Sequence, residues 1–136
     1  MFITLSAMTF TACKKDNDAG LEGTWKVAKI EYSFYENEVL RSSEVYYPND
    51  TDNERLLAFQ GNQWTSFYAD EAIEYREEDT YVYSQGTLKL YDEEELQQEI
   101  TVDALTDRNL VISTEESYEN EGVSEREVTV YTYNRQ

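Results

Sequence analysis

The side chains in this sequence that could do chemistry are almost all carboxylates. The chain has 136 residues, with 29 Asp and Glu, 11 Lys and Arg and no His, and its formal net charge is −18. Without His it has no imidazole general base, no Ser-His-Asp or Cys-His site and no His-containing zinc site. Nucleic acids and anionic membrane surfaces bind basic faces, so the charge argues against both and favours cationic partners.

One acidic run resembles a calcium loop and a second is a cluster that Ca²⁺ could bridge, but a turn and a solvated loop are the better interpretations. Residues 48–54 carry acids at alternate positions, but Arg55 stands where a calcium loop needs Gly, and Gly61 where it needs a bidentate Glu. Residues 92–95 are four consecutive acids, which is typical of a solvated loop. No pair of carboxylates stands out for glycosidase chemistry, and an exposed Glu has no reason for a raised pKa. We therefore predict no catalytic residues, no metal, no cofactor and no enzymatic activity.

The single cysteine, Cys13, follows twelve uncharged residues that are mostly apolar or small. Residues 10–13, Phe-Thr-Ala-Cys, resemble the lipobox at which bacterial lipoproteins are cleaved, with Phe where that motif usually has Leu. The resemblance implies a signal peptide over residues 1–12 that lacks a basic N-terminal region. It also implies a membrane-anchoring lipid on Cys13 and a flexible tether to residue 20. The implied location is the cell envelope, in the outer membrane, on its periplasmic or its surface side. The alternative is an apolar N-terminal strand with a buried thiol.

From Gly23 onward the sequence predicts β-strands joined by turns. Twelve Tyr and two Trp favour strands, and no segment sustains a helical period. Period-two alternation is clearest at residues 100–104 and 110–113, and Gly or Asn marks tight turns near residues 61, 86 and 109. We predict eight main strands, at residues 23–35, 55–60, 63–69, 79–84, 87–91, 97–104, 109–116 and 126–134. A further apolar run at residues 39–47 is either an extra hairpin or a lid.

The predicted connections alternate between long and short, which favours an up-and-down antiparallel β-barrel. Successive turns of such a barrel fall at opposite ends, so the tight turns would close one end and the long connections would surround the other. The longer connections, at residues 36–54, 70–78, 92–96 and 117–125, hold 18 of the 29 acids. We therefore expect a single all-β domain over residues 21–136 with an acidic mouth.

Gly23-Thr24-Trp25 resembles the Gly-x-Trp signature of lipocalins. The order of lipobox, tether and short strands resembles the lipocalin-like domains of small Gram-negative lipoproteins, and the resemblance covers residues 21–135. It implies that Trp25 closes the base of the barrel and that Arg135, near the end of the last strand, packs over it. Antiparallel closure supports this contact, because the end of the last strand then lies beside the start of the first. The chain lacks the disulfide cysteines of lipocalins, so the resemblance carries no ligand specificity.

The barrel interior is the default ligand site. Its aromatic candidates are Phe59, Trp64, Tyr68, Tyr81, Tyr83, Tyr131 and Tyr133. An eight-stranded barrel is either filled by its own side chains or leaves room for one small ligand, and both alternatives stay open.

Two functions are compatible with these features. One is binding of a small neutral or cationic ligand in the barrel, because an acidic mouth disfavours fatty acids and phosphates. The other is an acidic interaction module that docks a basic partner protein. A plainer alternative is that the acids only confer solubility.

Overall fold

The computed structural model describes residues 20–48, 54–69 and 74–136. Cys13, the predicted signal peptide, most of the tether and residues 49–53 of the first acidic run lie outside the described residues. All regular elements of the described chain are β-strands. They are β1 (Gly23–Glu36), β2 (Val39–Tyr46), β3 (Glu54–Gln60), β4 (Gln63–Ala69), β5 (Glu74–Ser84), β6 (Thr87–Asp92), β7 (Glu95–Leu105), β8 (Asn109–Asn120) and β9 (Val123–Arg135).

Eight of the nine strands form a closed antiparallel barrel, which confirms the predicted fold class. The ring runs β1–β3–β4–β5–β6–β7–β8–β9, and β9 pairs back with β1 to close it. The register of closure places Trp25 opposite Arg135 and Val27 opposite Tyr133. A bulge at Ala28 then shifts the pairing, so that Ile30 lies opposite Tyr131.

Along one of its edges, strand β1 pairs with two different strands, β3 at its start and β2 over the rest of its length. Its first residues, 23–26, pair with residues 56–59 of β3. Its remaining length, residues 30–36, pairs instead with β2. The apolar run at residues 39–47 is therefore an extra hairpin, since β2 folds back on β1 through the turn at residues 37–38.

Strand β2 and the upper halves of β1, β9 and β8 continue past the closed ring as a four-stranded sheet. We call residues 31–46 and 115–129 the extension. β8 pairs with β7 only at residues 110–113, whereas its pairing with β9 runs to the tip at Asn120. The two hairpin tips are tied together, because the Asn37 N–H donates to the Ser124 carbonyl (2.7 Å) and the Ser124 N–H donates to Asn37 Oδ1 (3.2 Å).

Where the sequence predicted long acidic loops, the structure has longer strands and tighter turns. Residues 37–38, 93–94 and 121–122 are two-residue turns with positive φ at both positions, the geometry of type I′ hairpins. Strands β5, β8 and β9 extend through acids that the sequence assigned to loops. Acidic residues have low intrinsic strand propensity, but pairing with a neighbouring strand overrides it on exposed faces.

The hydrophobic core fills the lower part of the barrel. Period-two alternation turns one face of each strand inward, and the inward side chains are apolar or aromatic over most of the ring. The fully buried side chains are Leu21, Trp25, Ile30, Phe59, Leu88 and Leu110.

Candidate functional site

The base of the barrel is closed by Trp25 and Arg135. Trp25 is fully buried, and its Nε1–H donates to the Leu21 carbonyl (2.8 Å). The guanidinium carbon of Arg135 lies 4.1 Å from the centre of the Trp25 ring. Arg135 also donates to the carbonyls of Gly20 (2.7 Å) and Asp107 (2.7 Å), and to that of Glu22. These contacts hold the chain ahead of β1 across the base.

Gly23 is required at the start of β1 for two reasons. Its φ of +123° is a conformation that other residues rarely adopt. A Cβ at this position would stand 3.0 Å from Nη1 of Arg135. Gly23, Trp25 and Arg135 therefore build the base of the barrel and are not part of the wall of the cavity described next.

Above the base the barrel contains an open cavity of about 350 Å³. Four of the seven aromatic candidates line it, namely Trp64, Tyr68, Tyr131 and Tyr133. The lining is completed by side chains of β3 to β8, among them Leu57, Ser66, Tyr75, Glu77, Leu90, Gln98, Ile100, Ile112 and Thr114. The volume is at the lower end of the roughly 300–1,000 Å³ typical of small-molecule sites.

The other three aromatic candidates pack in the core below the cavity. Phe59 makes edge-to-face contacts with Trp64 (5.3 Å) and Tyr81 (5.1 Å). The Tyr81 hydroxyl donates to the Gly61 carbonyl (2.9 Å), and Tyr83 is partly buried against the same cluster. The barrel is thus filled in its lower half and hollow in its upper half.

Arg55 is a cavity residue that the sequence analysis did not select. It lies on β3 two residues before Leu57 and four before Phe59, so alternation turns its side chain to the inner face. Its cross-strand partner is Tyr68, and its guanidinium carbon lies 5.2 Å from that ring. Its Nε is buried and has no hydrogen-bond partner among the described residues. The period-two relation to Leu57 and Phe59 identifies Arg55 as an interior residue once the inward face of β3 is known.

Tyr131 and Tyr133 are neutral hydrogen-bonding groups of the cavity wall. Burial raises the pKa of Tyr131 and, more strongly, that of Tyr133, while the nearby Arg55 charge opposes both increases. The two rings stack with centres 6.1 Å apart. At neutral pH both hydroxyls keep their protons and can donate to a bound molecule.

A second group of titratable side chains lies between β5 and β6. Asp79 is 9% exposed, and burial together with the neighbouring Asp92 carboxylate raises its pKa. Both residues border a concavity separate from the cavity, together with Gln63, Thr80 and Tyr91. Within the described ranges, no three His, Cys, Asp or Glu side chains are grouped so as to hold a metal ion.

The extension carries a concentrated negative charge. Its residues include ten Glu and two Arg. Arg126 lies over the Tyr35 ring (4.1 Å) and contacts the carboxylates of Glu38 (3.1 Å) and Glu115 (3.8 Å). The outer edges of β2 and of the upper half of β8 have no strand partner in the part of the chain that the structure describes.

Comparison with known proteins adds no assignment. No protein-family model and no curated protein matches the sequence. Over the described residues, the chain also has no helix of the length and apolarity needed to cross a membrane.

Proposed function

We propose that this protein binds a small ligand in the cavity of its barrel. The observation that carries the proposal is the open space of about 350 Å³ above a closed, filled base. Its wall combines apolar surface with a few polar groups, which is the composition of small-molecule sites. The volume favours a ligand of one or two rings over a long-chain lipid.

The negative charge near the cavity bears on which ligands it admits. Glu44 borders a second concavity that adjoins the cavity, and Glu77 is part of the cavity wall. The acidic surroundings disfavour molecules with several negative charges, such as phosphates. This charge supports the expectation of a small neutral or cationic ligand.

A cavity-filling variant tests ligand binding. Thr114 lies in the cavity wall, so Thr114→Trp should occupy the space, whereas Thr101→Trp places the same side chain at an exposed position of β7. A panel of one- and two-ring compounds is screened by thermal shift against the full chain and both variants. We expect hits that raise the melting temperature of the wild type and of Thr101→Trp and leave Thr114→Trp unchanged. Hits that bind all three proteins equally, or no hits at all, would contradict cavity binding.

We also propose that the protein is a lipoprotein of the cell envelope, anchored through Cys13. The proposal rests on the lipobox-like sequence, and the described start of the chain is compatible with it. Gly20 and Leu21 lie at the closed base, so a tether from Cys13 would hold the base toward the membrane and the open end away from it. Metabolic labelling with a fatty acid in a bacterial host should label the wild type and not Cys13→Ser. Equal labelling of the two proteins would contradict the anchor.

A second candidate function is docking of a basic protein by the extension. It is favoured by the ten Glu of the extension. It is also favoured by the outer edges of β2 and of the upper half of β8, which have no strand partner among the described residues and can add a partner strand. Lysozyme serves as a cationic probe. Binding should weaken steeply with salt, and it should be lost in a variant with Glu115, Glu116 and Glu119 changed to Gln. The control is a variant with Glu93, Glu94 and Glu95 changed to Gln. If lysozyme binding falls equally in this variant, the binding depends on the net charge of the protein and not on the extension.

A further inference from the structure

Arg55 is a cation in the cavity wall, and no carboxylate among the described residues pairs with it. Its neighbour across the strands is the Tyr68 ring, at 5.2 Å, and its Nε is buried without a hydrogen bond in the described part of the chain. None of the described Asp and Glu side chains forms an ion pair with it, including Glu77, which lies in the same wall. A buried donor without an acceptor costs stability unless something else supplies that acceptor.

Arg126 is an arginine of the same protein whose positive charge is paired with carboxylates of the chain itself. Its Nε is also buried without a partner, but its two Nη groups face Glu38 and Glu115. The chain has 29 acids for 11 bases, so a carboxylate opposite Arg55 would be easy to provide. No described carboxylate stands opposite Arg55, which borders an open space instead, so a molecule bound in that space would supply the acceptor.

Arg55 also stands where a ligand would enter. Two adjoining concavities share Arg55 and Tyr68. One is the cavity itself, and the other lies toward β2, bordered by Tyr32, Glu44 and Tyr46. A molecule in the cavity would therefore hold its outermost group beside the guanidinium.

We propose that Arg55 binds a carboxylate group at the outer end of the ligand, with the apolar body of that ligand in the cavity. This inference rests on the proposed binding of a small ligand in the cavity. It names the chemical class of that ligand, a ring-containing monocarboxylate, in place of the neutral or cationic molecule that the acidic surroundings alone favour. The guanidinium presents Nε–H and Nη–H side by side, which matches the two oxygens of a carboxylate. The Tyr68 ring, on the neighbouring strand, contacts the guanidinium with its centre 5.2 Å from the guanidinium carbon.

The net charge of −18 does not prevent this binding. Charges on the extension act across water and are screened over about 8 Å at physiological ionic strength. A carboxylate in contact with Arg55 lies within hydrogen-bond distance in a largely apolar pocket, where screening is weak. The contact therefore accommodates one negative group, whereas a second would face Glu44 and Glu77.

The test compares 2-naphthoate with its neutral counterpart 2-naphthamide, using calorimetry on the full chain. The variants are Arg55→Met and Arg55→Lys. Arg55→Met keeps the apolar stem of the side chain, and Arg55→Lys keeps the positive charge but not the adjacent Nε–H and Nη–H donors of the guanidinium. Arg108→Gln is the control, because it removes one exposed positive charge near the base and leaves the cavity intact. The Arg55 Nε–H resonance, assigned by its loss in Arg55→Lys, is followed by NMR in the same titrations.

We expect 2-naphthoate to bind the wild type about 10- to 100-fold more tightly than 2-naphthamide, as for a hydrogen bond to a charged group. Arg55→Met should remove this preference, Arg55→Lys should retain part of it, and Arg108→Gln should change nothing. The Nε–H resonance should shift with 2-naphthoate only. Equal binding of both probes, lost in Thr114→Trp, would overturn the role of Arg55 and leave cavity binding intact. Binding of neither probe, with no shift of the resonance, would overturn both proposals.

Discussion

Arg135 lies across Trp25, with its guanidinium carbon 4.1 Å from the ring centre, and joins the last strand of the barrel to the first. The same guanidinium donates to carbonyls of Gly20, Glu22 and Asp107. One side chain thus fixes the segment before β1, the turn before β8 and the end of β9. Three separate segments of the chain are therefore tied together at the base.

Removing either partner should destabilise the protein without changing the cavity. Trp25→Ala should lower the free energy of unfolding by about 3–5 kcal/mol, the usual cost of truncating a buried Trp. Arg135→Ala should lower it by about 2–3 kcal/mol, because three carbonyls lose a charged donor. Urea denaturation followed by Trp fluorescence measures the Arg135 variant, and circular dichroism measures the Trp25 variant. Arg108→Ala, one residue after Asp107, is the matched control and should change the free energy by less than about 0.5 kcal/mol.

Gly23→Ala should destabilise through both backbone strain and steric contact. We expect a cost of about 1–3 kcal/mol, since φ is +123° and the new Cβ would meet Nη1 of Arg135. Gly122→Ala separates the two effects, because Gly122 also has positive φ (+82°) but no atom lies within 4 Å of a Cβ there. The difference between the two variants in urea denaturation reports the contact with Arg135. Equal losses would show that the contact is unimportant.

The closure of the barrel was predictable from the sequence, whereas its acidic upper strands were not. Tight turns and period-two runs fix the strand count, and an even count of antiparallel strands brings residue 135 beside residue 25. The stretches at 74–78 and 117–125 are rich in Glu and have no apolar face, so nothing in their local pattern indicates a strand. Their pairing with β4 and β9 decides their structure, and local propensity cannot report that pairing.

Arg55 was missed for a related reason. Leu56 and Leu57 are both apolar, so the sequence of β3 does not show which face is inward. The pairing of Leu57 with Trp25 across β1 decides it, and that pairing is a property of the closed barrel. Once the inward face is known, alternation assigns Phe59, Leu57 and Arg55 to the interior together.

Glu94→Gly should stabilise the protein, because Glu94 occupies the second position of a type I′ turn with φ of +78°. A non-Gly residue in this region costs about 1–2 kcal/mol, part of which is offset by the larger freedom of Gly in the unfolded chain. We expect a net gain of about 0.5–1 kcal/mol in urea denaturation. Glu94→Ala is the control, since it relieves repulsion among the acids of residues 92–95 but keeps the backbone strain. A gain of the same size in Glu94→Ala would assign the effect to charge instead.

Stability should fall as the pH rises above 10, and Tyr133 should account for part of the loss. Burial raises the pKa of Tyr133 above its ordinary value of 10.0, so the folded state favours the neutral phenol. Because the pKa of this phenol is higher in the folded state, the unfolded chain loses the Tyr133 proton at a lower pH than the folded chain does. The resulting contribution to stability is fully present below pH 10 and is lost as the pH rises toward the pKa of the folded state. The free energy of unfolding of the wild type should therefore decrease between pH 9 and 12, and that of Tyr133→Phe should decrease less steeply. Tyr75→Phe, at an exposed position, is the matched control and should keep the wild-type slope. Identical slopes for all three proteins would mean that the Tyr133 phenol ionises as easily in the folded barrel as in water.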